Sequence, residues 1–234
     1  MAKPTRPCPM GGICEDPSCP CHEHKEYCER FNASMIPAFL ADATFHVLER
    51  DPLPSPTMLR AVQWLKAWSS RNPLPTQGIV LSGPNGIGKS FVMAALVRSL
   101  TLQRGVSCLF ADFAQLLLRF KASYNGQGSE HALYDALLKP NVLVLDDVGS
   151  FRDSLWARDV FQTIIAFRYN ACKQTFLTTN LSLQSRLDGF PGPFERWTGL
   201  HSASRLKQMC YWLPLDGPDR RRLTPASHHS LSRA

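Results

Sequence analysis

The stretch LSGPNGIGKSFVMAALVRSL, Leu81 to Leu100, decides how the rest of the chain is read. Within it, Gly83-Pro84-Asn85-Gly86-Ile87-Gly88-Lys89-Ser90 satisfies G-x-x-x-x-G-K-[ST] at every position. A loop of this kind turns successive backbone N–H groups inward at phosphate oxygens, and its glycines adopt dihedrals and close approaches that a Cβ would block. Lys89 is placed to reach the β- and γ-phosphates and the Ser90 hydroxyl to ligate Mg²⁺. Gly78 to Leu81 reads as a short buried strand in front of the loop, and Phe91 to Arg104 as a helix stopped by Gly105. Strand, glycine loop and helix together aim a helix N-terminus at an anion. The motif implies a bound nucleoside triphosphate.

Working outward, Val106–Phe110 reads as a second strand and Phe113–Tyr124 as a helix. His131–Leu138 is a shorter helix, and Asn141–Asp147 an apolar strand ending in two acids. Ser154–Lys173 follows as a long amphipathic helix, then Gln174–Asn180 as a strand. The Gly/Pro-rich DGFPGPFE precedes a helix around Ser202–Cys210 and a last strand, Tyr211–Leu215. Upstream, Glu29–Leu48 reads as a connector ending in a short helix, and Met58–Ser70 as a helix with its stripe at Leu59, Val62, Leu65 and Trp68. Strands alternating with helices argue an α/β fold around a parallel sheet covered on both faces.

In such sheets ligands sit at the carboxyl ends of the strands, where Val142-Leu-Val-Leu-Asp-Asp147 delivers its acids. Asp146 occupies the Mg²⁺-holding position and Asp147 that of the base that polarises an attacking water. Aspartate is one methylene shorter than glutamate, so turnover is expected to be slow or to need a partner. Thr178-Thr-Asn180 ends the next strand, where Asn180 can lie between the acids and the γ-phosphate.

At 234 residues, with 44% hydrophobic and 19% charged residues, the composition is that of an ordinary globular protein. No apolar run approaches the roughly 18 residues of a membrane span, and MAKPTRPCPMGG has no apolar signal region, so a cytoplasmic location is expected. The net charge is +7; residues 1–30 are slightly acidic, whereas 181–234 carry eight basic and four acidic side chains, a tilt that suits a polyanion. Five of eight cysteines fall in the first 28 residues, with His22 and His24 among them. In the cytosol such clustering points to Zn²⁺. Cys8, Cys14, Cys19 and Cys21 are the first choice of ligands, with Cys28 or His24 as substitutes. Cys108, Cys172 and Cys210 are expected in the core.

GPNGIGKS, VLVLDDVGSF, the helix ending in AFRYN, QTFLTTNLS, SASRL and GPDRR occur in one order. In that order the chain resembles the DnaC/DnaI-type replicative helicase loaders and their IstB-like transposition relatives, within the AAA+ initiator clade. The likeness covers about residues 75–223, and RFNASMIPAFLADATF also resembles the N-terminal region of loader-type members. It implies an AAA+ core with strands in the order 5-1-4-3-2, ATP as nucleotide, and a homo-oligomer with ATP between subunits. It further implies that Arg205 is an arginine finger, with Arg196 as competitor, and Arg221 a sensor arginine, with Arg220 and Arg222 as competitors. No room remains for a C-terminal helical lid. The expected organisation is a Cys/His-rich module (1–30), a connector and helix (31–74), the ATPase domain (75–223) and a disordered tail (224–234).

The loader reading gives the chain ATP hydrolysis, a replicative helicase as partner through its N-terminal module, and single-stranded DNA as ligand. Basic and aromatic groups between Phe110 and Tyr124 suit the latter, with Phe113 and Phe120 at core spacing and Lys121 and Tyr124 better placed for DNA. The alternative is an IstB-like ATPase that assembles on duplex DNA and directs a transposase. A P-loop small-molecule kinase and a non-hydrolysing zinc scaffold fit the joint motifs less well.

Overall fold

Apolar residues on the strands alternate between two interiors, and that alternation fixes the architecture. A computed structural model describes residues 21–50, 55–124, 126, 128–150, 154–183 and 191–220. In chain order these form α1 (Cys21–Ala33), a 3-10 turn (Ala38–Leu40), α2 (Phe45–Glu49), α3 (Pro56–Ser70), β1 (Gly78–Ser82) and α4 (Lys89–Arg104). There follow β2 (Cys108–Asp112), α5 (Phe113–Tyr124), α6 (Glu130–Leu138), β3 (Val142–Val148), α7 (Leu155–Asn170) and β4 (Gln174–Thr179). The last elements are α8 (Pro193–Thr198), α9 (Leu200–Met209) and β5 (Cys210–Pro214). The five strands pair in parallel in the order β2-β3-β4-β1-β5, the order the family resemblance implied.

Ile79, Leu81, Val142, Val144 and Phe176 face one interior with α2, α3 and α4. Val80, Leu143, Leu145 and Leu177 face the other with α5 to α9. Leu40 and Leu48, expected in a connector, join Met58, Leu65 and Trp68 of the expected helix in the first interior, so the segment ahead of β1 is built into the core. Strands buried on both faces read as unbroken apolar runs, which is why GIVL and VLVL stand out in sequence.

Several boundaries differ from expectation for local reasons. Val106 is spent on a helix cap: its N–H and that of left-handed Gly105 both reach the Leu100 carbonyl, so β2 starts two residues later. Serine hydroxyls of Ser55, Ser129 and Ser154 accept the N–H three residues on and start α3, α6 and α7. α7 ends at Asn170, which leaves Cys172 exposed in a turn at φ 50°; the expectation that it is a core residue fails there. Cys108 and Cys210 are buried as expected, and burial pushes the Cys210 thiol up to about 12. The Gly/Pro-rich stretch contains α8, opened by Pro193, whose fixed φ suits a first helical position.

At the other end, α1 runs unbroken past residue 30, where the sequence suggested a boundary, and packs along α4. The Ser34 carbonyl then accepts the Phe110 N–H (2.7 Å), giving edge strand β2 a partner. Cys8, Cys14, Cys19, Arg221 and the tail 224–234 lie outside the described residues.

Candidate nucleotide-binding site

β1 sits between β4 and β5, so the loop that leaves it is held from both sides. The Gly83 N–H donates to the Thr179 carbonyl (3.2 Å), while the Leu215 N–H donates to Ser82 (2.6 Å). Gly83 has φ 152°, and a Cβ there would lie 2.3 Å from the Leu215 carbonyl oxygen. Gly88, at φ 100°, is the left-handed N-cap of α4, so the loop closes on the first turn of that helix.

Lys89 is buried, and its Nζ donates to the Gly83 carbonyl (2.7 Å), the Pro84 carbonyl (2.8 Å) and Asn180 Oδ1 (2.8 Å). The Asn180 Nδ2 in turn donates to Asp147 Oδ1 (2.9 Å). One carboxamide therefore bridges the lysine of the loop and the second acid of β3. Asp147 has φ 58°, a left-handed conformation costly for a non-glycine residue. The β3–β4 register shifts between Leu145 and Val148, so both acids fall outside the pairing with β4, while Asp146 stays paired with Asp112 of β2.

Asp146 is buried. Desolvation raises its carboxyl above the ordinary carboxylate range, reinforced by the charges of Asp147 and Asp112 and opposed by hydrogen bonds from Thr178 and Ser90. The Thr178 hydroxyl donates to Asp146 Oδ1 (2.6 Å) and accepts the Asp147 N–H (2.8 Å), so it sets both acids at once. Sequence reasoning passed over Thr178; its signal was a polar residue in an apolar strand beside the acidic one.

Lys89, Ser90, Asp146, Asp147 and Asn180 are thus gathered at the carboxyl ends of β1, β3 and β4. Arg205 takes part in none of these hydrogen bonds. It lies on α9 with its guanidinium carbon 5.9 Å from the Tyr169 ring centroid on α7. Arg196 is exposed on α8. Arg220, which the sequence ranked behind Arg221, donates its N–H to the Gly86 carbonyl (3.0 Å). Its side chain runs past Gly88, whose Cβ position is 3.7 Å from Arg220 Cδ.

Phe113 and Phe120 are fully buried, as expected from their spacing. Lys121 and Tyr124 are exposed, and both meet Trp156 at the start of α7: Lys121 Nζ lies 5.3 Å from that ring's centroid and the Tyr124 ring 6.2 Å from it.

Residues 58–192 match the model of the IstB-like ATP binding proteins. The chain belongs to that family. Its members of known name point in two directions. The replicative helicase loader DnaI of Bacillus subtilis is 27% identical over 188 residues, 78% of this chain and 59% of DnaI. An ATP-binding protein of an insertion sequence in Mycobacterium tuberculosis is 28% identical over 188 residues, 78% of this chain and 70% of that protein. The crystal structure of a DnaC helicase loader superposes with a TM-score of 0.66 at 27% identity, over 77% of this chain and all (100%) of that one. The family member described here therefore has the α/β, five-stranded parallel sheet of its AAA+ neighbours. Among the described residues, no helix is long and apolar enough to cross a membrane.

Proposed function

We propose that this chain is an ATP-hydrolysing helicase loader of DNA replication, assembled so that ATP lies between subunits. The observation that carries the ATPase reading is the bridge Lys89–Asn180–Asp147. A triphosphate arriving at the loop offers Lys89 Nζ phosphate oxygens in place of the Gly83 and Pro84 carbonyls. Asn180 then reports the γ-phosphate to Asp147, which orients and deprotonates the attacking water. Ser90 and Asp146 present a hydroxyl and a carboxylate already in contact, a hard-oxygen pair that fits Mg²⁺, which would neutralise phosphate charge. Gly83 to Gly88 cradle the phosphates through their backbone, and Arg205 completes the site of a neighbouring subunit. Arg220 takes the sensor role beside the loop in preference to Arg221, because its backbone is tied to Gly86.

Single-stranded DNA would track the exposed Lys121 and Tyr124 and the half-buried Trp156 beneath them, where a cation and two aromatic rings meet. The Cys/His-rich residues 1–30, which include the start of α1, form the helicase-docking module, with Zn²⁺ held by Cys8, Cys14, Cys19 and Cys21. Cys28 cannot join Cys21 on one ion, since seven residues of helix separate their backbones by about 10 Å.

The second reading, an IstB-like ATPase that serves a transposase on duplex DNA, is favoured by the insertion-sequence relative, which this chain covers more fully than it covers DnaI. The test is the mass in solution of the full chain mixed with the host replicative helicase, with and without ATP. A defined complex that is lost on deleting residues 1–20 supports the loader. Absence of a complex together with ATP-dependent filaments on duplex DNA selects the transposition role.

A further inference from the structure

An arginine that acts on a neighbour's nucleotide has to be held in place before the neighbour arrives, because a free arginine loses much rotamer entropy on docking. Arg205 is half-buried on α9, and its guanidinium lies 5.9 Å from the centroid of the Tyr169 ring. The Tyr169 hydroxyl donates to Gln208 Oε1 (2.5 Å), one helical turn beyond Arg205 on the same helix. The ring is thus oriented by the element that carries the arginine. Tyr169 is itself held from below: its neighbour Arg168 is fully buried and bonds the carbonyls of Leu137, Pro140, Asn141 and Gln174, which fixes the last turn of α7. Arg205 is therefore seated on an aromatic platform whose position is set by the sheet.

We propose that Tyr169 is the positioning residue of the arginine finger, holding the Arg205 guanidinium over its ring so that it meets the γ-phosphate of an adjoining subunit already oriented. The proposal rests on the reading of Arg205 as a finger, and the experiment separates the two.

ATP turnover per subunit is measured over rising concentrations of the full chain with Mg²⁺, for wild type, Arg205→Ala, Tyr169→Leu and Tyr169→Phe. Leucine keeps apolar bulk and phenylalanine keeps the ring. A solvent-accessible cation–π contact corresponds to about a two- to fivefold change in rate, so Tyr169→Leu is expected to lower kcat by about that factor with KM for ATP unchanged. Tyr169→Phe should stay within about twofold of wild type, because the face of the ring is kept. Lys89→Ala subunits, which lack their own site but carry a seated finger, should restore turnover when mixed with Tyr169→Leu subunits. Lys89→Ala/Tyr169→Leu subunits should not. A purely structural role would not give that rescue in trans.

Wild-type kcat in Tyr169→Leu, alongside a defective Arg205→Ala, overturns the positioning role and leaves the finger standing. Loss in Tyr169→Phe as deep as in Tyr169→Leu also overturns it. Full turnover by Arg205→Ala removes the finger reading itself.

Discussion

Replacing Arg168 by methionine tests whether the strands that carry the site are stapled at their opposite ends. The guanidinium is fully buried and donates to the Leu137, Pro140, Asn141 and Gln174 carbonyls and to the Thr175 hydroxyl. Burial lowers its pKa from 12.5 to about 10, so holding the charge there costs about 3 kcal/mol. Methionine relieves that cost and orphans four carbonyls. At a middle value of about 2 kcal/mol per orphaned acceptor the loss is about 8 kcal/mol, leaving a net destabilisation of about 5 kcal/mol. For a chain of this size that is a fall of roughly 10–20 °C in Tm. Urea denaturation of the full chain followed by circular dichroism measures it, with the slope unchanged if only the native state is affected. Arg168→Lys, with three donors for five acceptors, should fall between the two. A Met variant within about 1.5 kcal/mol of wild type would refute the staple, since the four orphaned carbonyls would then have cost only about 1 kcal/mol each, half the value assumed.

Three further outcomes are expected. Asn180→Ala should lower kcat about tenfold or more, with ATP affinity within about threefold, because it unhooks Asp147 while leaving the loop; an unchanged kcat in steady-state turnover counts against the bridge. The raised carboxyl of Asp146 should make Mg²⁺-dependent nucleotide binding weaken as pH falls through a value above the ordinary carboxylate range. Since the folded group binds its proton more tightly than the unfolded one, it also destabilises the ligand-free fold as pH rises, and Asp146→Asn should raise the ligand-free Tm at neutral pH; calorimetry at pH 5 and 8 checks both. Gly83→Ala should abolish fluorescent-nucleotide binding, because its methyl meets the Leu215 carbonyl oxygen at 2.3 Å; retained affinity would mean that β5 gives way.

The loop, the acids and Asn180 were legible in the sequence because each sits where an apolar run stops, and the chemistry there tolerates few residue types. The strand order came with the family likeness, since periodicity does not state which strands pair. Thr178 was hidden because its role depends on Asp146, which lies on a different strand. The same holds for Arg168 and Tyr169, whose partners come from α6, the loop before β3, β4 and α9. Helix α1 was missed because thiols, histidines and acids dominate its composition, and it is held by packing on α4 rather than by its own apolar stripe. Local pattern records what a residue does to its own segment; these residues act between segments.

The central place of β1 also sets the timetable of folding. Val80 pairs with Leu177 on one side and Trp212 on the other, so the strand that launches the phosphate loop waits for two segments far downstream of it to leave the ribosome. Pairings this distant in sequence form slowly, and until both exist β1 has bare edges and Gly83 lacks the walls that shape its loop. A nascent chain released before Cys210 would expose β1 as a sticky edge. Nucleotide binding is therefore acquired only once Cys210–Pro214 has emerged and paired, so its appearance during synthesis can serve as a clock for completion of the sheet.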